Sequence, residues 1–226
     1  MSDRTSATPV EATLTRKGQA TRARLLAAAA EELRRHGSVE VAAAAARAGV
    51  AQSVLYRYFA GKDGLVAAVV DDFYDQYARE VFDDALTDDA ELPAGATWPE
   101  REALRLVREV EFLYAHPLGR PIATGLLHDA AATRADAARL REHVAAATRN
   151  IRHGQRTGEL DPAVDAGLAA AAIIGGLRTM LAEALARDPP PPATQVVTAA
   201  LRVGRALLDP DGTAPWPTPP RRDPAD

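Results

Sequence analysis

Proline placement is the feature of this sequence that most limits its fold. No proline occurs between Pro9 and Pro93, and ten of the sixteen prolines follow Ala186. Because proline breaks a helix interior by removing a donor and clashing with the preceding turn, a long proline-free stretch rich in Ala and Leu favours helix. Apolar residues recur at helical spacing, with almost no strand-type alternation. The sequence therefore predicts an all-α protein of about nine helices.

Glycines divide the first part of the chain into separate helices. Gly37, Gly49 and the pair Ala60-Gly61 each follow a helix-forming run. Glycine readily takes the left-handed conformation that ends a helix. We therefore expect three helices and the start of a fourth, at about 18–36, 41–48, 52–59 and from Lys62 onwards.

Capping signals mark the later helices. Thr97-Trp98-Pro99-Glu100 is typical of a capping box and opens a helix that ends at His116-Pro117. Asp161-Pro162 predicts an N-cap followed by a first-turn proline, opening a helix that runs to about Arg187. The other helices are expected within 117–129, 133–156 and 193–208, with a loop at 88–96.

Charge is distributed unevenly along the chain. The formal net charge is −4, yet residues 1–62 carry ten Lys or Arg against five Asp or Glu. The remainder carries seventeen against twenty-six. A basic N-terminal segment followed by an acidic remainder is typical of a protein that contacts phosphates only through its N-terminal part.

Several classes of protein are disfavoured by composition. The absence of cysteine excludes disulfides, thiolate metal sites and cysteine nucleophiles. No two of the five histidines have the i, i+4 spacing of a metal site, and none of the four serines lies in a nucleophile elbow. We expect no enzyme, no metal and no cofactor. The N-terminal segment is polar and the apolar run 163–177 is short for a bilayer, so we expect a cytoplasmic protein without membrane contact.

The segment from Ala45 to Leu65 carries the most information about function. Two short helices meet at Gly49, which can take a positive φ. Leu55 and Phe59 can then face Leu33 in a three-helix core. The opposite face holds four polar side chains and no acid, which suits a helix lying in the major groove of DNA: Gln52, Ser53, Tyr56 and Arg57.

This segment closely resembles the tetracycline-repressor (TetR) family of transcriptional regulators. The match consists of Ala-Gly-Val at 48–50, Leu-Tyr-Arg-Tyr-Phe at 55–59, and the following Lys62 and Leu65. The resemblance implies that Gln52 reads a base edge, that Val54 contacts a thymine methyl, and that Lys62 binds phosphate. The full set of DNA-binding residues that it implies is Ala51, Gln52, Ser53, Val54, Tyr56, Arg57, Tyr58 and Lys62.

The second short helix departs from the family pattern. Glu40 stands where Ser or Thr usually caps this helix, Ala44 replaces a bulky aliphatic residue, and Ala51 replaces a common Ser. These changes reduce packing and phosphate contacts. The alternative hypothesis is therefore a helical dimer that binds a ligand or partner protein and has weakened DNA binding.

The resemblance also implies a division of the chain. Residues 18–75 form the DNA-binding domain with its helix-turn-helix at 40–59, and residues 76–208 form a helical effector-binding and dimerisation domain. We expect residues 1–17 to be a flexible arm and the Pro-rich 209–226 to be disordered.

The C-terminal half is expected to form a homodimer and a ligand pocket. The family implies a two-fold interface through about 161–187 and 193–208, binding double-stranded operator DNA as a dimer. It also implies repression relieved or tuned by an unknown small-molecule effector. An apolar effector would contact large side chains that could equally be plain core: Phe73, Tyr77, Leu104, Phe112, Ile122, Leu126 and Ile173.

Overall fold

The protein is all-helical. The computed structural model describes residues 14–82, 95–125, 127–209, 212 and 216, which contain nine helices and no strand. In chain order they are α1 (Arg16–His36), α2 (Val41–Arg47), α3 (Gln52–Tyr58), α4 (Gly61–Phe82), α5 (Trp98–Ala115), α6 (Gly119–Ala123), α7 (Ala130–Thr157), α8 (Ala166–Ala186) and α9 (Ala193–Leu208). The fold class predicted from the proline pattern is confirmed. The expected loop at 88–96 lies mostly outside the described residues.

The chain divides into two compact units. The first comprises Met1–Asp72 and Leu127–Ala135, and the second comprises Phe73–Leu126 and Asp136–Asp226. The sequence placed the boundary at residue 75 and assigned 127–135 wholly to the C-terminal domain. The reason for the difference is that α4 and α7 are long helices, each of which contributes residues to both units.

Leucines close the core of the first unit. Leu25 and Leu33 on α1 are buried, together with Leu55 on α3 and Leu65 on α4. Full burial of one such side chain stabilises the fold by about 1.5–3 kcal/mol. The N-cap of α1 is Thr15, whose hydroxyl accepts a hydrogen bond from the amide of Gly18 at 3.2 Å. Residues 15–17 therefore belong to the start of α1, and the expected flexible arm is at least that much shorter.

The turn between α2 and α3 depends on Gly49. Its φ of 68° lies in the left-handed region, where a side chain is disfavoured. The amide of Val50 donates to the carbonyl of Ala45 at 3.1 Å and so closes the turn. The predicted glycine turn is thus observed, and it sets the direction in which α3 leaves α2.

Tryptophan side chains anchor part of the second unit. Trp98 opens α5 inside the predicted capping box, where the carboxylate of Glu100 accepts from the amide of Thr97 at 2.7 Å. Trp98 is buried in a cluster with Ile151 and Leu160, and Trp216 packs against it with ring centroids 6.3 Å apart. The expectation of a wholly disordered 209–226 segment is therefore wrong at Trp216.

The start of α8 differs from the prediction. Asp165, not Asp161, is the N-cap, and its carboxylate accepts from the amides of Gly167 and Leu168 at 2.8 and 2.9 Å. Residues 161–164 form a turn held by the Gln155 side chain, whose amide donates to the carbonyls of Asp161 and Val164. These tertiary hydrogen bonds keep the Asp161-Pro162 step out of the helix.

The apolar part of α8 extends beyond the run 163–177 that the sequence analysis considered. Over 21 residues it contains a window of mean hydropathy 1.5, which by length and composition alone is enough to cross a membrane, and a third of that window is buried. A helix that packs inside a protein assembly passes the same test.

Candidate functional site

The outer face of α3 carries the polar side chains that the sequence singled out. Gln52, Ser53, Tyr56 and Arg57 are all exposed, and Tyr56 is 62% exposed. Their spacing of i, i+1, i+4 and i+5 places them on one side of the helix. Leu55, on the opposite side, is fully buried. An exposed face with amide, hydroxyl and guanidinium groups and no carboxylate is suited to hydrogen bonding with base edges and phosphates.

The other predicted contact residues on α3 are less accessible. Ala51, the N-cap, is exposed, whereas Val54 and Tyr58 are half-buried. Phe59 is buried, and the guanidinium of Arg22 lies over its ring at 5.2 Å from the centroid. Phe59 therefore belongs to the core, as the sequence indicated, and fixes the end of α3 against α1.

Lys62 has a partner inside the first unit. Its ammonium lies 3.1 Å from a carboxylate oxygen of Asp129, which is only 5% exposed, while Lys62 itself is 44% exposed. Asp129 also accepts from the amide of Ala131 at 3.0 Å at the start of α7. Because an ammonium has three donors, Lys62 can bind a phosphate while keeping this ion pair.

Helix α2 is held by packing and one ion pair. Ala44 and Ala45 are buried, and Arg47 lies 3.1 Å from the buried carboxylate of Glu32 on α1. No side chain caps α2 at Glu40 or α3 at Ala51. The departures from the family pattern thus correspond to two uncapped helices, while the packing of α2 is intact.

The second unit contains a partly open cavity of about 330 Å³. Side chains from α8 and α9 form an apolar wall: Ala170, Ile173, Ile174, Leu177, Met180, Ala200, Leu201, Val203, Gly204 and Leu208. The other wall, from α4, α5 and α7, is mixed. Its polar residues are Tyr77, Glu102, Arg105, Glu109, His143 and Asn150, and its apolar residues are Phe82, Trp98, Leu106, Ala146, Ala147 and Ile151. This volume is near the lower end of the ~300–1000 Å³ range of small-molecule pockets.

Burial in the cavity wall perturbs the ionisation of Glu109. Loss of solvation raises its pKa to about 7, a hydrogen bond with Tyr77 works against this rise, and the charge of Glu102 adds to it. The surface that Glu109 leaves open faces the cavity. Glu102 is committed elsewhere, in an ion pair with Arg105. Glu109 is therefore a carboxyl group that is largely protonated below neutral pH.

His143 lies among aromatic rings on the same wall. Its ring centroid is 5.0 Å from that of Tyr77 and 5.2 Å from that of Tyr74. Burial lowers the pKa of His143, and the charge of Arg139 lowers it further. A neutral imidazole at neutral pH follows, so this side of the cavity carries little positive charge apart from Arg105.

Four of the predicted ligand contacts do line a cavity. Tyr77 and Ile173 line the 330 Å³ cavity, and Phe73 and Ile122, with Tyr77, line a smaller one of about 50 Å³. Leu104 and Phe112 line neither of these two cavities, and their contact with a ligand stays a prediction. Phe112 instead packs on Phe73 with centroids 5.3 Å apart. Leu126 lies outside the described residues.

The sequence analysis did not identify the polar side chains of α5 that line the cavity. Glu102, Arg105 and Glu109 have the spacing i, i+3, i+7, so they form one row on α5. Such a row on an amphipathic helix normally faces solvent. The available signal was Leu106, a half-buried leucine beside this row, which shows that this side of α5 is not turned wholly to solvent. Among the described residues no group of three His, Asp or Glu could hold a metal ion.

The N-terminal part of the chain matches a known family. Residues 25–69 match the model of the bacterial regulatory proteins, tetR family. The matched stretch contains all of α2 and α3 and hence the exposed polar face described above. A search of curated proteins found no relative by sequence.

Solved structures share the fold over nearly the whole chain. SmeT, the repressor of the Stenotrophomonas maltophilia multidrug efflux pump SmeDEF, has a TM-score of 0.69 at 21% identity, covering 91% of this chain and 98% of its own. FadR from Bacillus subtilis, in complex with stearoyl-CoA, has a TM-score of 0.63 at 18% identity, covering 83% and 97%. AibR, in complex with isovaleryl coenzyme A and operator DNA, has a TM-score of 0.59 at 16% identity, covering 80% and 96%.

Proposed function

The chain belongs to the tetR family of bacterial regulatory proteins, and from this premise we propose that it is a transcriptional repressor whose operator affinity is tuned by a small, largely apolar ligand. It is a DNA-binding regulator and not an enzyme. The observation that carries the proposal is the outer face of α3, which exposes Gln52, Ser53, Tyr56 and Arg57 without any carboxylate.

DNA binding is proposed to use two kinds of contact. Gln52 is placed at the start of α3 to pair with an adenine edge. Arg57 and Lys62 supply positive charge for phosphates, with Tyr56 and Tyr58 reaching the backbone. Ala51, Ser53 and Val54 complete the surface that approaches the bases. Phosphate contacts give affinity and base contacts give site preference, so the two roles are separable by experiment.

A homodimer is proposed to form through α8 and α9. Leu168 is 73% exposed, and a Cβ added at the exposed Gly175 would meet nothing within 4 Å. The exposed residues of α8 follow one helical stripe: Leu168, Ala171, Ala172, Gly175, Thr179, Glu183 and Ala186. Small residues in such a stripe permit close helix packing, and a two-fold pair of heads would read two half-sites about one DNA turn apart.

Ligand control is proposed to act through the 330 Å³ cavity. A ligand that binds one arrangement of the dimer better than another shifts the population towards it, and operator affinity changes by the same coupling free energy. SmeT represses an efflux pump, and FadR and AibR were solved with acyl-CoA compounds. For this chain we propose a small, largely apolar effector, because the α8 and α9 wall of the cavity is apolar, and a cytoplasmic location with its DNA.

The test of DNA binding begins with selection from a library of random duplexes, followed by titration at two salt concentrations. We expect a selected site with two-fold symmetry, bound with strong salt dependence. Gln52→Ala should reduce the preference for that site over a scrambled duplex, because a bidentate base contact is lost.

Lys62 needs a compensated variant. Lys62→Gln alone leaves Asp129 buried and unpaired, which destabilises the unit irrespective of DNA. The double variant Lys62→Gln/Asp129→Asn removes both charges, and Asp129→Asn alone is its matched control. We expect only the double variant to bind all duplexes more weakly and to reduce the salt slope by about 1. If no duplex is selected and these variants bind like the parent protein, the ligand-binding dimer with weakened DNA binding is the better account.

A further inference from the structure

One side of α7 carries a row of arginines. Four exposed side chains make up this row: Arg141, Arg149, Arg152 and Arg156. Their spacing of i, i+8, i+11 and i+15 places them on one side of the helix, with the exposed Ala145 among them. The row extends for roughly 22 Å along the helix axis. These five residues are called the arginine face of α7 below.

The arginine face has no counter-charge within the described part of the chain. None of its four arginines has an ion pair or a side-chain hydrogen bond with another described residue. The neighbouring acid on α7, Glu142, lies 3.4 Å from Arg139. The other two arginines of α7 have acidic partners on α4, since Arg134 pairs with Asp63 and Arg139 with Asp75. Like charges along one helix side repel each other, so an anionic partner would stabilise the face.

The chain itself contains a segment of opposite charge whose flanking residues pack on this helix. Residues 83–94 lie between α4 and α5 in the chain and carry five acidic side chains and no basic one. The ring centroid of Phe82, at the end of α4, lies 6.4 Å from that of His143 on α7. The indole of Trp98, at the start of α5, donates to Asn150 on α7 at 3.3 Å. The acidic segment therefore starts and ends beside the helix that carries the arginine face.

The segment is long enough to reach the arginine face. His143 and Asn150 are seven residues apart, which is roughly 10 Å along α7, and a helix with its side chains is about 10–12 Å across. Twelve extended residues span up to about 40 Å. Because both flanks are held on the same helix, the effective concentration of the segment at the face is on the order of millimolar. This favours the segment over a free polyanion.

We propose that the arginine face of α7 is the binding surface for the acidic segment 83–94 of the same chain. Five carboxylates are available for four guanidinium groups, and arginine binds carboxylate through charge-assisted, often bidentate hydrogen bonds. The bound segment neutralises the face. It thereby keeps nucleic acid off the second unit, so that phosphate binding stays with the first unit.

A distance between two spin labels measures whether the segment lies on the face. The chain has no cysteine, so Thr87→Cys in the segment and Ala145→Cys in the face give two unique labelling positions. The labelled chain is mixed with a large excess of unlabelled chain, so that distances between copies do not contribute. We expect a narrow peak of short distances at low salt and its loss at about 1 M salt, where the Debye length is about 3 Å.

A matched pair of variants tests the arginines themselves. Replacing the four arginines of the face by glutamine should abolish the short-distance peak at low salt. A control that replaces four exposed cations elsewhere by glutamine changes the net charge equally and should keep the peak: Arg16, Lys17, Arg24 and Arg202. A distance distribution that is the same in both variants and at both salt concentrations would overturn the proposal.

Binding of a scrambled DNA duplex distinguishes the proposal from a nucleic-acid surface. Neutralising the five acids of the segment should raise duplex affinity more in the parent chain than in the chain whose face carries glutamines. The salt slope should increase by about 0.9 for each arginine that becomes free to contact a phosphate. If the parent shows no short-distance peak and the glutamine face alone weakens duplex binding, the face binds nucleic acid and the proposal fails.

Discussion

Glu109 makes the stability of this protein depend on pH in a defined direction. Its pKa in the folded chain is about 7, raised from the ordinary value of 4.5 by burial beside Tyr77 and Glu102. Between these two values the folded state holds more protons than the unfolded state, so the free energy of unfolding falls as pH rises. The stabilisation is complete below pH 4.5 and is lost through pH 7, with an upper value of about 3 kcal/mol.

Thermal denaturation of Glu109→Gln measures this effect. We expect the parent protein to lose more stability than the variant between pH 5 and pH 8, because glutamine cannot ionise. Glu111→Gln, an exposed position on the same helix, should follow the parent. Parallel pH profiles for Glu109→Gln and the parent would show that Glu109 ionises freely. Burial lowers the pKa of His143 on the same wall, and because His143 is present in the parent and in both variants, the comparison isolates Glu109.

The burial or exposure of a side chain was predictable from the sequence where helical spacing alone determines it. Leu55 inward and Tyr56 outward follow from helical spacing alone, and both are observed. The cavity was only partly predictable, because spacing identifies a buried face but not which buried side chain borders empty space. Phe112 fills the core against Phe73, whereas Ile173, equally apolar in sequence, borders the cavity.

Helix α3 begins without a side-chain cap, and this is a correctable weakness. Ala51 has extended backbone angles, φ −68° and ψ 144°, which are those of a normal N-cap. A serine hydroxyl there can accept from the amide of Ser53 or Val54, so Ala51→Ser should stabilise α3 by about 1 kcal/mol. Amide hydrogen exchange within α3 should slow by roughly fivefold. Ala46→Ser, at an exposed position in the last turn of α2, should instead weaken its helix by up to ~0.5 kcal/mol. Equal effects of the two serines would contradict a capping role for position 51.

Helix ends were predictable when the signal was local and unique. The capping box at Thr97 and Glu100 has no competitor nearby, and it forms as expected. Before α8 the chain offers two aspartates, Asp161 and Asp165, and local rules favour the one followed by proline. The choice is made by Gln155, which binds the carbonyls of the 161–164 turn from α7. A contact from another helix is invisible to capping rules.

Binding of two operator half-sites requires two copies of the chain, so the proposed homodimer needs its own test. The exposed stripe of α8 includes Gly175, where an added Cβ has no other atom within 4 Å. Gly175→Arg should therefore keep the fold of the single chain, and its helix propensity should rise. In a two-fold interface each arginine would be buried against its copy, which is costly for unpaired charges.

We expect Gly175→Arg to sediment as a monomer at concentrations where the parent protein is a dimer, with unchanged helical content by circular dichroism. Its affinity for a two-half-site operator should fall by more than roughly tenfold, because each head then binds alone. Ala145→Arg, exposed on α7 and outside the α8 stripe, supplies the same charge and should stay dimeric. A dimeric Gly175→Arg with normal operator affinity would place the interface elsewhere, and the open stripe of small residues would then need another partner.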